Sequence, residues 1–286
     1  MDELSQLSFR LALVAAAGAA LTYWLAMLGP AWSAAGDGGW SLWQNVGRRV
    51  SSTGRAWALA AAAFLLITVA ARWQAVDRAP WSNMWEFTVA FAAAIAIAYA
   101  LFEYYQKGSS IVGVIVQPLV LVLLLMAILF FPSRIEPLVP ALQSQGILAA
   151  HVGFMVVSYG VLTVSFGSAA LQLVQGAQPR FTRLPRAPVL EDVAHASVVV
   201  GFPLLTLGVA LGAYWANSAW GRYWGWDPKE TASLVTWFVY GAYLHMHGQR
   251  SWRGTRAAVV LLVGYAAILF TYFGVNLWIS GLHSYT

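Results

Sequence analysis

Several runs of about 20 residues in this chain carry almost no charge, and no other property restricts its fold so severely. A run of that length matches the thickness of a bilayer's hydrocarbon core when coiled as a helix. Inside lipid every backbone N–H and C=O must be satisfied within the segment, which leaves helices as the choice for runs this long. Composition agrees: hydrophobic residues make up 60% and charged residues 9%, whereas a soluble domain is roughly a quarter charged. The chain is therefore expected to be an all-α polytopic membrane protein, with residues 1–286 forming a single integral membrane domain. Eight spanning helices are read near 9–28, 56–72, 85–106, 111–131, 146–174, 191–213, 228–247 and 256–279. The first is kept as a span rather than a signal peptide. Its apolar part is long for an h-region, and no small-x-small cleavage site precedes Gly29 and Pro30.

Loop charge sets the expected orientation. Arg48, Arg49, Arg55, Lys107, Arg180, Arg183, Arg186, Arg250, Arg253 and Arg256 fall at one end, ten basic residues. Arg10, Arg72, Arg78, Arg134, Arg222 and Lys229 fall at the other, six. The positive-inside rule puts the larger set in the cytoplasm and both termini on the outer face. The net charge of +5 is then read as arginines anchored at the membrane surface, and no nucleic-acid partner is implied. There is no cysteine. Disulfides, thiolate metal sites and thiol redox chemistry are excluded, so an iron or other metal would rest on five histidines, the methionines or a few carboxylates.

An external tryptophan-rich segment, residues 214–230, precedes the seventh span. It contains Trp220-Gly-Arg-Tyr-Trp224-Gly-Trp226-Asp227-Pro-Lys-Glu230. Scattered Trp and Tyr mark membrane interfaces. This segment is denser, with Trp220, Tyr223, Trp224 and Trp226 inside seven residues, interleaved with glycines that permit close backbone approach. It is a surface suited to a large flat ligand held by stacking. Asp227, Pro228 and Glu230 read as a helix start, with an Asp N-cap, Pro at the first position and Glu at the third. Asp227 and Glu230 are accordingly assigned as structural caps and not as acid or base. Asn83-Met-Trp-Glu86 is a similar start for the third span on the same face.

Depth sorts the histidines. His151, about one turn into the fifth span, and His283, four residues after the eighth, lie at the level of the tryptophan segment and can supply two axial imidazoles to one iron. Met155 shares the face of His151 and is the weaker alternative. His245 lies about 25 Å deeper than Pro228 at 1.5 Å per residue. Trp237, Gly241 and His245 share a face that either admits a planar group or packs a neighbouring helix. His195 sits one turn from Glu191, a local Glu–His pair, and His247 is read as interfacial, near a helix C-terminus.

These residues resemble the CcsA family, also called ResC, of cytochrome c biogenesis proteins. Trp220–Glu230 is similar to the "WWD" motif of haem-handling membrane proteins. Thr236 through His245, Gly274-Val-Asn276 with Gly281-Leu-His283-Ser-Tyr285, Gly201 through Gly208 and Ser82 through Glu86 are similar to the CcsA branch in particular. The resemblance implies haem b as ligand and substrate, an apocytochrome c with a Cys-x-x-Cys-His motif as acceptor, and a CcsB (ResB) membrane partner. It implies a bacterial cytoplasmic membrane with the working face toward the periplasm. On this likeness His151 and His283 match the external axial ligands, and His245 matches a transmembrane haem ligand. Trp220, Tyr223, Trp224 and Trp226 form the haem platform, and Arg222 or Lys229 reaches the propionates or anchors at headgroups. The expected activity is a cytochrome c synthase, or haem lyase, working in a complex. His195 departs from the family, which more often has an aromatic there. Three rivals stand beside this reading: a dihaem electron-transfer protein with an inner haem on His195 and His245, a haem exporter without ligation activity, and a packing protein whose tryptophans are interfacial anchors.

Overall fold

Alanine and glycine stripes at helical spacing decide how the spans meet. A computed structural model describes residues 1–28, 40–106, 108–135, 140–143, 145–178, 180–181 and 183–283, with all their side chains except those of 40–51, 140, 141 and 145. Gly29, Pro30, Lys107 and the terminal Ser284 and Tyr285 therefore lie outside the described residues, as do the side chains of Arg48 and Arg49. The described chain is helical, with no strand among the described residues. Its long helices are α1 (Asp2–Leu28), α2 (Trp40–Val76), α3 (Met84–Tyr105), α4 (Gly113–Phe130), α5 (Gln145–Gln175), α6 (Ala187–Trp220), α7 (Pro228–His247) and α8 (Thr255–Leu269). A π-turn (Phe270–Gly274) joins α8 to the short α9 (Val275–Trp278), and together they form the last span. Seven of these spans are long and apolar enough to cross a membrane by composition alone. The eighth, α7, has 20 residues and begins with Lys229 and Glu230.

The protein is thus a multi-pass membrane protein. α1 buries Ala12, Ala15, Ala16, Ala19 and Tyr23, one stripe at three- and four-residue spacing, while Leu21, Leu25 and Val14 face outward. That pattern lets backbones approach closely, as association within lipid requires. α6 offers glycines to α5 in the same manner. A Cβ at Gly201, Gly208 or Gly212 would lie 2.8, 2.6 and 2.5 Å from Leu162, Met155 and His151.

Three boundaries differ most from the sequence expectation. α1 begins at Asp2 and α2 at Trp40, well before residues 9 and 56. α6 continues to Trp220, where Gly221 (φ 73°) takes the left-handed conformation and donates its N–H to the Asn217 carbonyl at 2.9 Å. The tryptophan-rich segment is therefore partly helical, and only Gly221–Asp227 connects α6 to α7.

Polar groups concentrate at the two ends of the bundle. At one end Arg72, 1% exposed, donates to Glu86 (2.9 Å), Asp2 (2.8 Å) and the Ser133 carbonyl (2.8 Å) and stands over the Trp85 ring. Glu86 also accepts from the Ser82 backbone and hydroxyl, and Asn83 caps α3 by accepting the Glu86 N–H. This ties the start of α1, the end of α2, the start of α3 and the segment after α4. At the other end Glu103 accepts from Tyr23 (2.8 Å) and pairs with Arg55, and Arg183 donates to the Met27 carbonyl. Glu191 there pairs with His247 at 3.2 Å and accepts the Gly254 N–H. This corrects the expected local pair: His195 does not hold Glu191 but stacks on His247, with ring centroids 3.9 Å apart.

Candidate functional site

The Arg72 end also holds the cavity in which two of the histidines meet. It encloses about 470 Å³ between α3, α5, α6, α7 and the last span, within the range of small-molecule sites. Its walls are mostly apolar and aromatic, with Phe87, Phe131, Tyr159, Trp215, Trp224 and Tyr272 among them. Its polar lining includes His151, His283, Lys229, Glu230, Asn83 and Asn276.

His151 is set by glycines of α6. Its Nδ1 lies 2.7 Å from the Gly208 carbonyl oxygen, and the absence of a side chain at Gly212 makes room for the ring. Since a carbonyl only accepts, Nδ1 carries the proton and donates, leaving the Nε2 lone pair unused. His283 reaches the same state by another route. Its Nδ1 lies 2.7 Å from Asp227 Oδ2. Burial pushes its imidazole below the ordinary range against the pull of Asp227, so the ring is neutral. Burial raises the Asp227 carboxyl, but hydrogen bonds from His283, Leu282 and Lys229 outweigh it and hold the group below the usual carboxylate range. The pair is a neutral imidazole donating to a carboxylate, and its Nε2 too is left without a partner. Fixing one ring nitrogen by hydrogen bonding is the usual way a protein orients the other toward a metal.

Asp227 acts in two places. It is the N-cap of α7, accepting the Lys229 N–H (3.1 Å) within a capping box completed by Glu230, which accepts the Asp227 and Gly225 N–H groups. It also accepts the Leu282 N–H and His283, tying the chain's last described residues to the start of α7. A Cβ at Gly281 would sit 2.6 Å from Asp227 Oδ1, so only glycine allows this approach. The cap is legible in the sequence and the second role is not. No local signal points to it, because the partners lie 55 and 56 residues away.

The expected aromatic platform divides. Trp224 lines the cavity. Trp220 packs edge-on against His283 (4.9 Å) and Trp215 (4.8 Å), touching the imidazole and not the cavity wall. Tyr223 and Trp226 are 58% and 69% exposed, and Trp226 holds a positive φ of 55°, which a bulky residue rarely adopts. Trp215, which the sequence reading did not single out, is 1% exposed and lies parallel to His151 (6.2 Å, 7°) while touching His283 (5.7 Å). Its signal was present as an aromatic seven residues after Gly208 on one helix, but only with α6 extended to Trp220 does it reach the site.

Lys229 lines the cavity, with Nζ 2.7 Å from Asn276 Oδ1 and 5.9 Å from the Phe87 ring. Arg222 is exposed, its guanidinium against Gly225, and is not part of the cavity wall. Met155 lines the wall beside Gly208. His245 is elsewhere. It is exposed on the outside of α7, and Trp237 on that face donates to Thr206 (2.9 Å) and packs on Phe202, which also lies 3.5 Å from a Cβ at Gly241. The α7 face is thus partly a packing surface, with its last member uncovered.

A porphyrin with two axial nitrogens suits this donor set: two neutral imidazoles with free Nε2 atoms, aromatic walls, and one ammonium for an acidic edge. The family described as "Cytochrome C assembly protein" has a model matching residues 81–283, the part that builds the cavity. A cytochrome c biogenesis protein CcsA of Synechococcus sp. (strain RCC307) is 37% identical over 279 residues, covering 86% of this chain and 89% of that protein. The CcsA of Synechococcus elongatus is 36% identical over 266 residues (75% and 81%), and that of the alga Guillardia theta 33% over 246 (77% and 81%). With such matches over most of its length, and with the tryptophan segment, His151 and His283 gathered at one end of a helical bundle, the chain belongs to the CcsA family of cytochrome c biogenesis proteins.

Proposed function

We propose that this protein receives haem b and holds it between His151 and His283 for thioether attachment to an apocytochrome c. The observation that carries the reading is the pair of Nδ1 anchors, each 2.7 Å long, which leave two Nε2 lone pairs beside one aromatic cavity. Haem brings two vinyl groups, and addition of a thiol S–H across each makes one C–S and one C–H bond with no net oxidation. The chain's own task is orientation. His151 and His283 would hold the iron through Nε2, Trp224 and Trp215 would border the porphyrin, and Lys229 would pair with a propionate in place of Asn276. Holding the reacting groups in register is worth several kcal/mol without any nucleophile from the protein, on the order of 7–11 in well-aligned systems. A chain without cysteine does not compete for the acceptor's thiols.

The working face is outward in this proposal. The loops at the opposite end carry Arg180, Arg183, Arg186, Arg250, Arg253 and Arg256 and belong to the cytoplasmic side of a bacterial inner membrane, so both termini face the periplasm. His245, uncovered on α7, is the half of a transmembrane haem site that a CcsB (ResB) partner completes. His195 stacks on His247.

The test is reconstitution of the protein with its CcsB partner, haem, reductant and a peptide carrying Cys-x-x-Cys-His. A covalent haem–peptide product is expected, preceded by the spectrum of haem with two imidazole ligands. Haem release without covalent product would point to an exporter, and permanent haem unaffected by peptide to electron transfer. Either result would overturn the synthase reading.

A further inference from the structure

The two imidazoles of the cavity differ in what stands behind them. His151 donates to a backbone carbonyl, a neutral dipole. His283 donates to a carboxylate whose side chain is 2% exposed and which cannot turn away. Leu282 N–H holds Oδ1 at 2.6 Å, Lys229 N–H holds Oδ2 at 3.1 Å, and Gly281 closes against the remaining side. The rings of Trp215 and Trp220 flank the imidazole at 5.7 and 4.9 Å and fix its plane.

We propose that Asp227 is a positioning residue that makes His283 the stronger of two unequal axial ligands, leaving His151 as the ligand that yields. The inference rests on the reading that haem is held between these imidazoles. A buried anion at Nδ1–H draws the proton toward itself and raises electron density at Nε2, so the nitrogen donates more strongly to a metal. A carbonyl does this less. It also fixes the tautomer, since a carboxylate accepts only and forces the proton onto Nδ1. In the exchange that follows attachment, one bond breaks and one forms. The acceptor's own imidazole nitrogen would take the iron position that His151 Nε2 leaves, with no change in electron count, and His151 keeps its proton on Nδ1, donated to the Gly208 carbonyl.

Asp227→Asn separates this role from the cap. Asn is as good an N-cap as Asp, so α7 still begins correctly and the melting temperature of the haem-free protein in detergent should stay close to wild type. Asp227 Oδ2 accepts both the Lys229 N–H and His283, so the single amide oxygen of Asn stays on that side and keeps the cap and the tautomer, while the negative charge behind the imidazole is lost. With added ferric haem, the variant should still give a bis-imidazole spectrum but hold haem more weakly. Its haem dissociation rate should rise by about 10- to 100-fold. In parallel, His283→Ala should lose at least about tenfold more haem affinity than His151→Ala, a difference that Asp227→Asn removes. A folded Asp227→Asn protein with a wild-type dissociation rate, or equal losses in the two alanine variants, would overturn the inference. Failure of the wild type itself to give a bis-imidazole spectrum would instead overturn the haem reading on which it stands.

Discussion

Gly212→Ala is the sharpest probe of the His151 wall. The added methyl would lie 2.5 Å from His151 Cε1 and 2.7 Å from Nδ1, whereas non-bonded carbons rest at about 3.5–4.0 Å. The ring has to retreat by roughly 1 Å. It cannot do so and keep its hydrogen bond to the Gly208 carbonyl, because Gly208 lies one turn away on the same helix. Without ligand the imidazole swings aside at small cost. Ligand binding requires its return, so the penalty falls on binding. The hydrogen bond returns with the ring, so the penalty on binding is the residual overpacking of about 1–3 kcal/mol, or roughly 5- to 150-fold in haem affinity. The assay is titration of the purified protein with haem, followed by its Soret band. Gly153→Ala is the control, since a Cβ there meets nothing within 4 Å although it lies two residues from His151 on α5. Wild-type affinity and spectrum in Gly212→Ala would refute the assignment of His151 as a ligand.

Three further outcomes follow from the same geometry. Glu86→Gln leaves Arg72 buried without its buried carboxylate partner and should cost about 3–5 kcal/mol of stability, read as a lower melting temperature; an unchanged melt would mean that Asp2 suffices. His245→Ala should leave the spectrum of haem added to the detergent-solubilised protein intact, because the side chain is on the outside of α7, while lowering the haem that co-purifies from cells. Loss of the added-haem spectrum would remove the two-site distinction. Trp226→Gly relieves a left-handed backbone at a mostly exposed residue and should raise stability by about 1 kcal/mol, unless the indole is anchored by something outside the chain, in which case the melt falls.

How much of this was legible in the sequence depends on the range of the interaction. The cap at Asp227, Pro228 and Glu230 is chemistry between neighbours and is readable directly, as is the Asn83 cap of α3. The spans follow from hydropathy and length. The placement of His151 and His283 at one level follows from counting residues along helices, but their seating does not. Gly208 and Gly212 act on His151 from another helix, and the glycine spacing that would have suggested a packed face says nothing of what it packs against. The π-turn at Phe270–Gly274 adds a residue to one turn of the last span, which changes the angular position of Asn276 and Leu277. No hydrophobic period announces such a turn. Glu191 was misread for a related reason. His195 is its neighbour by spacing, but the Gly254 N–H and His247 bring two donors to the carboxylate from another element, and two donors outweigh one.

The site's stability and its chemistry are separable because different contacts carry them. The Arg72–Glu86–Asp2 cluster and the alanine stripe of α1 hold the bundle together and do not themselves line the cavity, which the cluster meets only through Ser82 and Asn83. By contrast, Asp227 joins the cap of α7, the tail at Leu282 and the His283 ring in one carboxylate. Three donors converge on it, so moving the tail outward must break contacts to Leu282 and His283 together while the cap to Lys229 can persist. His151 has no such freedom, since it rides on α5 and its acceptor on α6. The wall made by His151 is therefore fixed by helix packing, and the wall made by His283 is fixed by a few strong hydrogen bonds. The second wall can therefore be released without moving a helix. A ligand held more tightly by the movable side than by the fixed one leaves with that side or after it, which makes the strength of the Asp227–His283 contact the variable that sets how long haem stays.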